Sequence, residues 1–232
     1  MQAAQQVPGS AAITTRITDN VHCQVAGLAV ATIGWILTVS STGFTEWRVW
    51  YMESTSPPGL SCVGMWRVCI YHRESYSSEI KLCHPYTYQD TFLPLDIRVA
   101  QHLLLGAIIL GLLGKTLIIF ALWTLNTGVP RGGVTYKLFV GSGILHMTAG
   151  FCISAAVAWN YYSITRMQGI AFPPSFQIPY KPDTQEIGSA VLLAALAALL
   201  MLLKDYEIPG QRFEEDFDIG GAMKSTLAAS AE

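Results

Sequence analysis

The chain has 232 residues, 51% of them hydrophobic and only 13% charged, with a formal net charge of −2 and a mean hydropathy of +0.38. A soluble globular domain carries about a quarter of its residues as Asp, Glu, Lys and Arg, so an ordinary soluble fold is excluded. No basic patch is present to hold a nucleic acid.

The opening, MQAAQQVPGSAAITTRITDN, is polar. It lacks the basic start and apolar middle of a cleavable signal, so residues 1–20 are expected to form a cytosolic arm. Residues 20–45 then run without a formal charge. A helix needs about 17–25 apolar residues to cross the hydrocarbon core, so 21–45 predicts a first span that acts as an uncleaved signal anchor. A polar loop follows over 46–98. Residues 99–130 are uncharged except for Lys115 and predict a second span over 99–125. A connection over 126–137 leads to a third span over 138–165. A second loop at 166–186 precedes a fourth span at 187–203, near the short limit. The tail, 204–232, contains the acidic run FEEDFD and is expected to be solvated and disordered. Buried helices of a soluble bundle would carry a polar stripe, whereas LLLGAIILGLLGKTLIIFALWTL has one lysine and no stripe. The expected fold class is therefore a mainly α membrane protein with four transmembrane helices.

The first loop has the alternation of strands. EWRVWYM reads as one strand. In WRVCIYH, Trp66, Val68 and Ile70 share one face and Arg67, Cys69 and Tyr71 the other; in EIKLCHPY, Ile80, Leu82 and His84 oppose Lys81, Cys83 and Pro85. If these two segments pair as an antiparallel hairpin, with RESYSS as the turn, Cys69 and Cys83 meet on one face. Cys62 is then either free or an alternative partner for one of the two. Buried unpaired cysteines are the plainer reading, but the loop is rich in charges. A zinc site lacks the close paired spacing of such motifs.

A disulfide persists outside the cytosol, which puts both loops outside and both termini in the cytosol. The positive charges do not decide the matter, with seven in the two loops against six in the arm, connection and tail. No phosphate loop, nucleophile elbow, HExxH or CxxC is present, so neither an enzyme nor a cofactor is expected. Lys115 reads as a structural, snorkelling lysine. The glycines at 106, 111, 114, 141, 143 and 150 suit close helix packing.

Trp47, then Gly64, Met65 and Trp66, then Cys69 and Cys83 resemble the first-loop signature of the claudins, W…GLW-x2-C…C. Arg98 stands where that family carries an arginine at the start of its second helix. AFPPSF, with Phe172, Pro173, Pro174 and Phe176, is similar to its second-loop F-x-N-P element. The resemblance covers about residues 21–203. It implies a left-handed four-helix bundle carrying a small extracellular antiparallel sheet, with four strands from the first loop and one from the second. It further implies a Cys69–Cys83 disulfide, a sheet-to-bundle anchor at Trp47, Trp66 and Arg98, and a trans-interaction loop at Phe172, Pro173, Pro174 and Phe176. The residues after the disulfide, His84 and Asp90, are pore-facing candidates. The implied setting is the bicellular tight junction of the plasma membrane, with itself and other claudins as partners in cis and in trans. The implied activity is cell–cell adhesion and a paracellular barrier.

The chain also departs from the pattern. Met65 replaces Leu, and the interval between Cys69 and Cys83 is long for the family. Pro173–Pro174 replaces the Asn–Pro of toxin-binding members. The tail reads LAASAE without the Tyr–Val of members that dock PDZ scaffolds, and Glu232 suits such a pocket poorly. A claudin-like regulatory tetraspan, either a channel auxiliary or a trafficking protein, shares the same signature and is the alternative reading.

Overall fold

The computed structural model describes residues 8–53, 59–74, 77–87, 89–126 and 132–203, with side chains described in the first helix from residue 25 and not at 72–81, 125–126 and 132. These residues form four helices, α1 Pro8–Gly43, α2 Leu95–Asn126, α3 Gly132–Thr165 and α4 Ser189–Leu203. They also form five strands, β1 Arg48–Met52, β2 Gly59–Val63, β3 Arg67–Glu74, β4 Ser77–Pro85 and β5 Thr184–Ile187. The tail expected at 204–232 lies outside the described residues, as does the connection over 127–131 between α2 and α3.

Val25–Gly43, Leu95–Thr124 and Gly133–Thr165 are long and apolar enough to cross a membrane, and Ser189–Leu203 is apolar but shorter. Helix is the form such segments must take, because lipid offers no hydrogen bonds to an open backbone. The helices outrun the apolar sequence. Helix α1 starts at Pro8, whose fixed φ suits a first helical position. Helix α2 starts at Leu95 with Asp96 in its first turn, where a carboxylate favours the helix dipole. Helix α3 closes with Met167 N–H donating to Ile164 O at 2.9 Å and Gln168 N–H to Ser163 O at 3.1 Å. Met167 takes the left-handed conformation there, at φ 50°, in the pattern of a Schellman cap.

Helices α1 and α2, α2 and α3, α3 and α4, and α4 and α1 pack together, closing a four-helix ring. At Gly114 an added Cβ would lie 2.5 Å from the His146 ring, whereas Gly106 faces open space. Glycine therefore permits close contact at some, not all, of the positions where it occurs in α2. Lys115, expected to snorkel, is 8% exposed, with Nζ 3.4 Å from the centroid of the Trp35 ring on α1, a cation–π contact.

The sheet order is β4-β3-β2-β1-β5. The first loop contributes four strands, and β5 comes from the second loop to pair antiparallel with β1, Arg48 opposite Ile187. Strand alternation gives the sheet two faces. Arg48, Trp50, Met52, Ser61, Val63, Val68 and Ile70 are buried on the face toward the helices. Val49, Cys62, Cys69, Cys83 and Glu186 form one register row on the other face. The hairpin is longer than RESYSS as a turn would allow. Pairing continues to Glu74 opposite Ser77, and the register shifts after Ile70, so that Tyr71 opposes Ile80 and Lys81 is passed over. This is a β-bulge. One core runs from Trp47 and Trp50 in the sheet region to Ala198 and Met201 in α4, so sheet and bundle bury their apolar surface together.

Strand β5 turns into α4 at Gly188. Its N–H donates to Trp47 O at 3.1 Å, and Ala190 N–H donates to Glu46 O at 3.1 Å. A Cβ on Gly188 would lie 1.8 Å from Glu46 O. Gly188→Ala is therefore expected to separate β5 from β1 and cost at least about 1–3 kcal/mol. Thermal unfolding in detergent and surface biotinylation should both fall, while Gly106→Ala leaves both unchanged.

Candidate functional site: the junction of sheet, helices and loops

Trp47, Gly64, Met65 and Trp66 of the first-loop signature serve one joint. Trp47 is fully buried and donates its indole N–H to Ser41 O in the last turns of α1 at 2.8 Å. Gly64 sits in the β2–β3 turn, where a Cβ would lie 2.7 Å from Thr45 Cα and 2.9 Å from Phe44 O. Only glycine lets that turn lie against the chain leaving α1. Met65, 1% exposed, accepts a hydrogen bond at its carbonyl from Gln101 Nε2 of α2 at 2.5 Å. Half-buried Trp66 accepts from Tyr86 N–H at 2.8 Å. The turn is thereby fastened to α1, α2 and the strand leaving the disulfide. Tyr86 is itself buried, and that burial pushes its phenol well above the ordinary range.

A buried ion pair holds the same joint. Arg48 and Asp96 are 1% and 4% exposed. Arg48 Nη2 donates to Asp96 Oδ2, and Arg48 Nε donates to Asn160 Oδ1 at 3.0 Å. The guanidinium thus joins β1, the first turn of α2 and the last turns of α3. Arg98 does a separate job: its guanidinium donates to Asp90 O and ties α2 to the end of the first loop. The Asp90 carboxylate accepts from Thr87 N–H at 2.6 Å. Sequence reasoning missed Arg48, although a signal was there. Arg48 has the same strand parity as Trp50 and Met52, and an arginine on an otherwise apolar face must find a buried acceptor.

The second loop folds Phe172 and Phe176 inward, while Tyr180 is exposed. Phe172 is 9% exposed and meets Trp50 edge-on at 5.7 Å between centroids. Phe176 lies in a single 3-10 turn, Pro174–Phe176, and stacks on His84 at 4.0 Å with 7° between planes. Phe92 lies 5.9 Å from Phe172 and 5.8 Å from Phe176. Such ring pairs each contribute about 0.5–1.5 kcal/mol beyond area burial. Pro173 is half-buried and Pro174 is exposed, with Gln177 left-handed behind it at φ 56°. His84 is half-buried on the helix-facing parity of β4.

Cys69 and Cys83 form a disulfide. Their Cα atoms are 4.1 Å apart, the close spacing of an opposed pair that exchanges no backbone hydrogen bonds. Cys62 forms no disulfide and is buried. Among the described residues, no three His, Cys, Asp or Glu side chains gather as a metal set.

Arg48→Met would leave Asp96 buried and unpaired, which costs about 3–5 kcal/mol. The expected result is retention before the cell surface and a lowered unfolding midpoint in detergent. Arg48→Met combined with Asp96→Leu should recover much of the loss, because it removes the stranded charge; equal loss in the double variant would refute the ion-pair account.

The comparison with known proteins agrees with this geometry. Residues 28–204 match the family described as PMP-22/EMP/MP20/Claudin tight junction. Claudin-18 of Mus musculus is 26% identical over 137 residues, 59% of this chain and 50% of the relative. Claudin-3 of Canis lupus familiaris is 25% identical over 186 residues, 78% of each chain. Claudin-15 of Bos taurus is 34% identical over 107 residues, 46% of this chain and 43% of the relative. The chain spans about half the length of the Claudin-18 relatives it matches. The family match covers the helices, the sheet and the joint between them, and the chain belongs to the PMP-22/EMP/MP20/Claudin family.

Proposed function

We propose that this protein is a cell–cell adhesion and paracellular barrier component of bicellular tight junctions. On this reading it polymerises side by side in the plasma membrane and pairs across the intercellular space, with itself and other claudins as partners. Membership of a tight-junction family supports a claudin-like role at family level. The observation that carries the specific reading is the five-stranded sheet, seated on the helices by Arg48 and Asp96 and closed by a second-loop strand. Such a sheet is a rigid platform whose second face is free of the bundle. The Cys69–Cys83 disulfide supports placing the sheet outside the cell and both termini in the cytosol.

Trp47, Gly64, Met65, Trp66 and Arg98 hold the platform in this reading. Pro174 stands at the exposed tip of the trans-interaction loop, and Phe172, Pro173 and Phe176 set its shape. His84 and Asp90 border the paracellular path, their side chains engaged by Phe176 and Thr87. Acidic and basic residues nearly balance in the first loop, which favours a barrier over a charge-selective channel. The inward packing of Phe172 and Phe176 favours a second reading, a regulatory tetraspan that partners a channel or a trafficking protein, because it leaves fewer rings for a facing cell.

Expression in fibroblasts without junction strands should produce freeze-fracture strands at contacts. Surface protein without strands, co-purifying with a channel subunit, would favour the second reading. In a leaky epithelium, expression should raise transepithelial resistance with little change in dilution potential. An epitope inserted after Pro174 should bind antibody on intact cells; staining only after permeabilisation would reverse the proposed sidedness.

A further inference from the structure

Three cysteines stand in one row across three adjacent strands. Cys62 of β2 is directly opposite Cys69 of β3, and Cys69 is directly opposite Cys83 of β4. Opposed residues project to the same face of a sheet, so all three thiol positions share the face turned from the helices. Antiparallel pairing alternates between the two spacings. Since Cys69–Cys83 is the close pair, Cys62–Cys69 is the hydrogen-bonded one, with Cα atoms about 5.5 Å apart. That separation lies inside the range a disulfide spans. A second staple could therefore form on Cys69 without moving a strand.

We propose that Cys62, Cys69 and Cys83 form an intrachain thiol–disulfide exchange relay with two mutually exclusive staples. The Cys62 thiolate attacks Sγ of Cys69. The Cys62–Cys69 bond forms as the Cys69–Cys83 bond breaks, and Cys83 leaves as a thiolate that takes up the proton Cys62 released. One thiol and one disulfide stand on each side of the step, so no oxidant or reductant is consumed. The row geometry suits this displacement, because Cys62 stands on the opposite side of Cys69 from Cys83.

The two states differ in what they expose. Cys62 is 4% exposed, whereas Cys83 is exposed on β4, an edge strand of the sheet. Exchange would trade a buried thiol for a surface one, open to modification. It would also move the staple from β3–β4 to β2–β3 and free the strand that carries His84, whose ring stacks on Phe176 of the second loop. The state of the relay would therefore reach the second loop through one residue.

The first state is held in check. Burial, and then the Glu46 carboxylate, push the Cys62 thiol up to about 11. Tyr51 of β1 and Tyr71 of β3 also interact with Cys62, with Glu186 bonded to Tyr51 and Arg67 beside Tyr71. The thiolate, which is the nucleophile, is scarce at neutral pH. Below the thiol's pKa its fraction, and with it the exchange rate, rises about tenfold per pH unit.

The test uses the full chain purified in detergent without reductant and incubated with N-ethylmaleimide. Disulfide mapping by mass spectrometry should find molecules that carry both labelled Cys83 and an intact Cys62–Cys69 bond. Their rate of appearance should rise about tenfold per pH unit between pH 7 and 9. Cys62→Ala, which retains Cys69–Cys83, should abolish Cys83 labelling. Absence of labelled Cys83 in the wild-type chain, or equal labelling in Cys62→Ala, would overturn the relay. In Cys83→Ser, the pair Cys62–Cys69 should replace the lost bond; free Cys62 and Cys69 in that variant would sink the proposal as well.

Discussion

Burial of the Arg48 guanidinium against Asp96 constrains nearly everything above the helices. Taking two charges out of water costs several kcal/mol per ion, and their attraction offsets this only when geometry and hydrogen bonding are good. Arg48 reaches Asp96 on α2 and Asn160 on α3 at once, while Arg48 Nη1, Asp96 Oδ1 and Asn160 Nδ2 stay buried with no hydrogen-bond partner among the described residues. The sheet can therefore rest on the bundle in one orientation, and β1 has no freedom to slide by a residue. A one-residue slip would bring Val49 to the buried face and put Arg48 on the other.

Other contacts exploit that placement. With β1 held, the Trp47 carbonyl is in position for Gly188, and β5 pairs along the edge of β1 before the chain enters α4. The Gly64 turn closes against the exit of α1, and Gln101 reaches the Met65 carbonyl. The rings of Phe172 and Phe176 then cover Trp50 and His84. Two loops far apart in sequence become one folded unit.

Much of this was legible in the sequence. Uncharged runs of spanning length need no tertiary information, since each helix satisfies its own backbone. Strand parity allowed Cys69 and Cys83 to meet but left Cys62 as an alternative partner, and the family resemblance implied the pair; the extra pairing that shortens the expected turn does not disturb it, because the bulge falls beyond Ile70. The parity of Arg48 with Trp50 was equally visible, but its acceptors Asp96 and Asn160 lie 48 and 112 residues away. No local pattern links such residues. Lys115 was read as a structural, snorkelling lysine, and its contact with Trp35 was hidden for the same reason: Trp35 belongs to another helix.

By itself the sequence determined the four apolar helices, the strand character of the first loop and the likeness to a family, because hydrophobic length and period-two alternation are local properties. Only the tertiary structure decided which face of the sheet meets the bundle, that Arg48 is buried between them, that Phe172 and Phe176 turn inward, and that Cys62 stands in register with the disulfide. Each of these depends on contacts between distant segments, whose partners sequence spacing does not reveal.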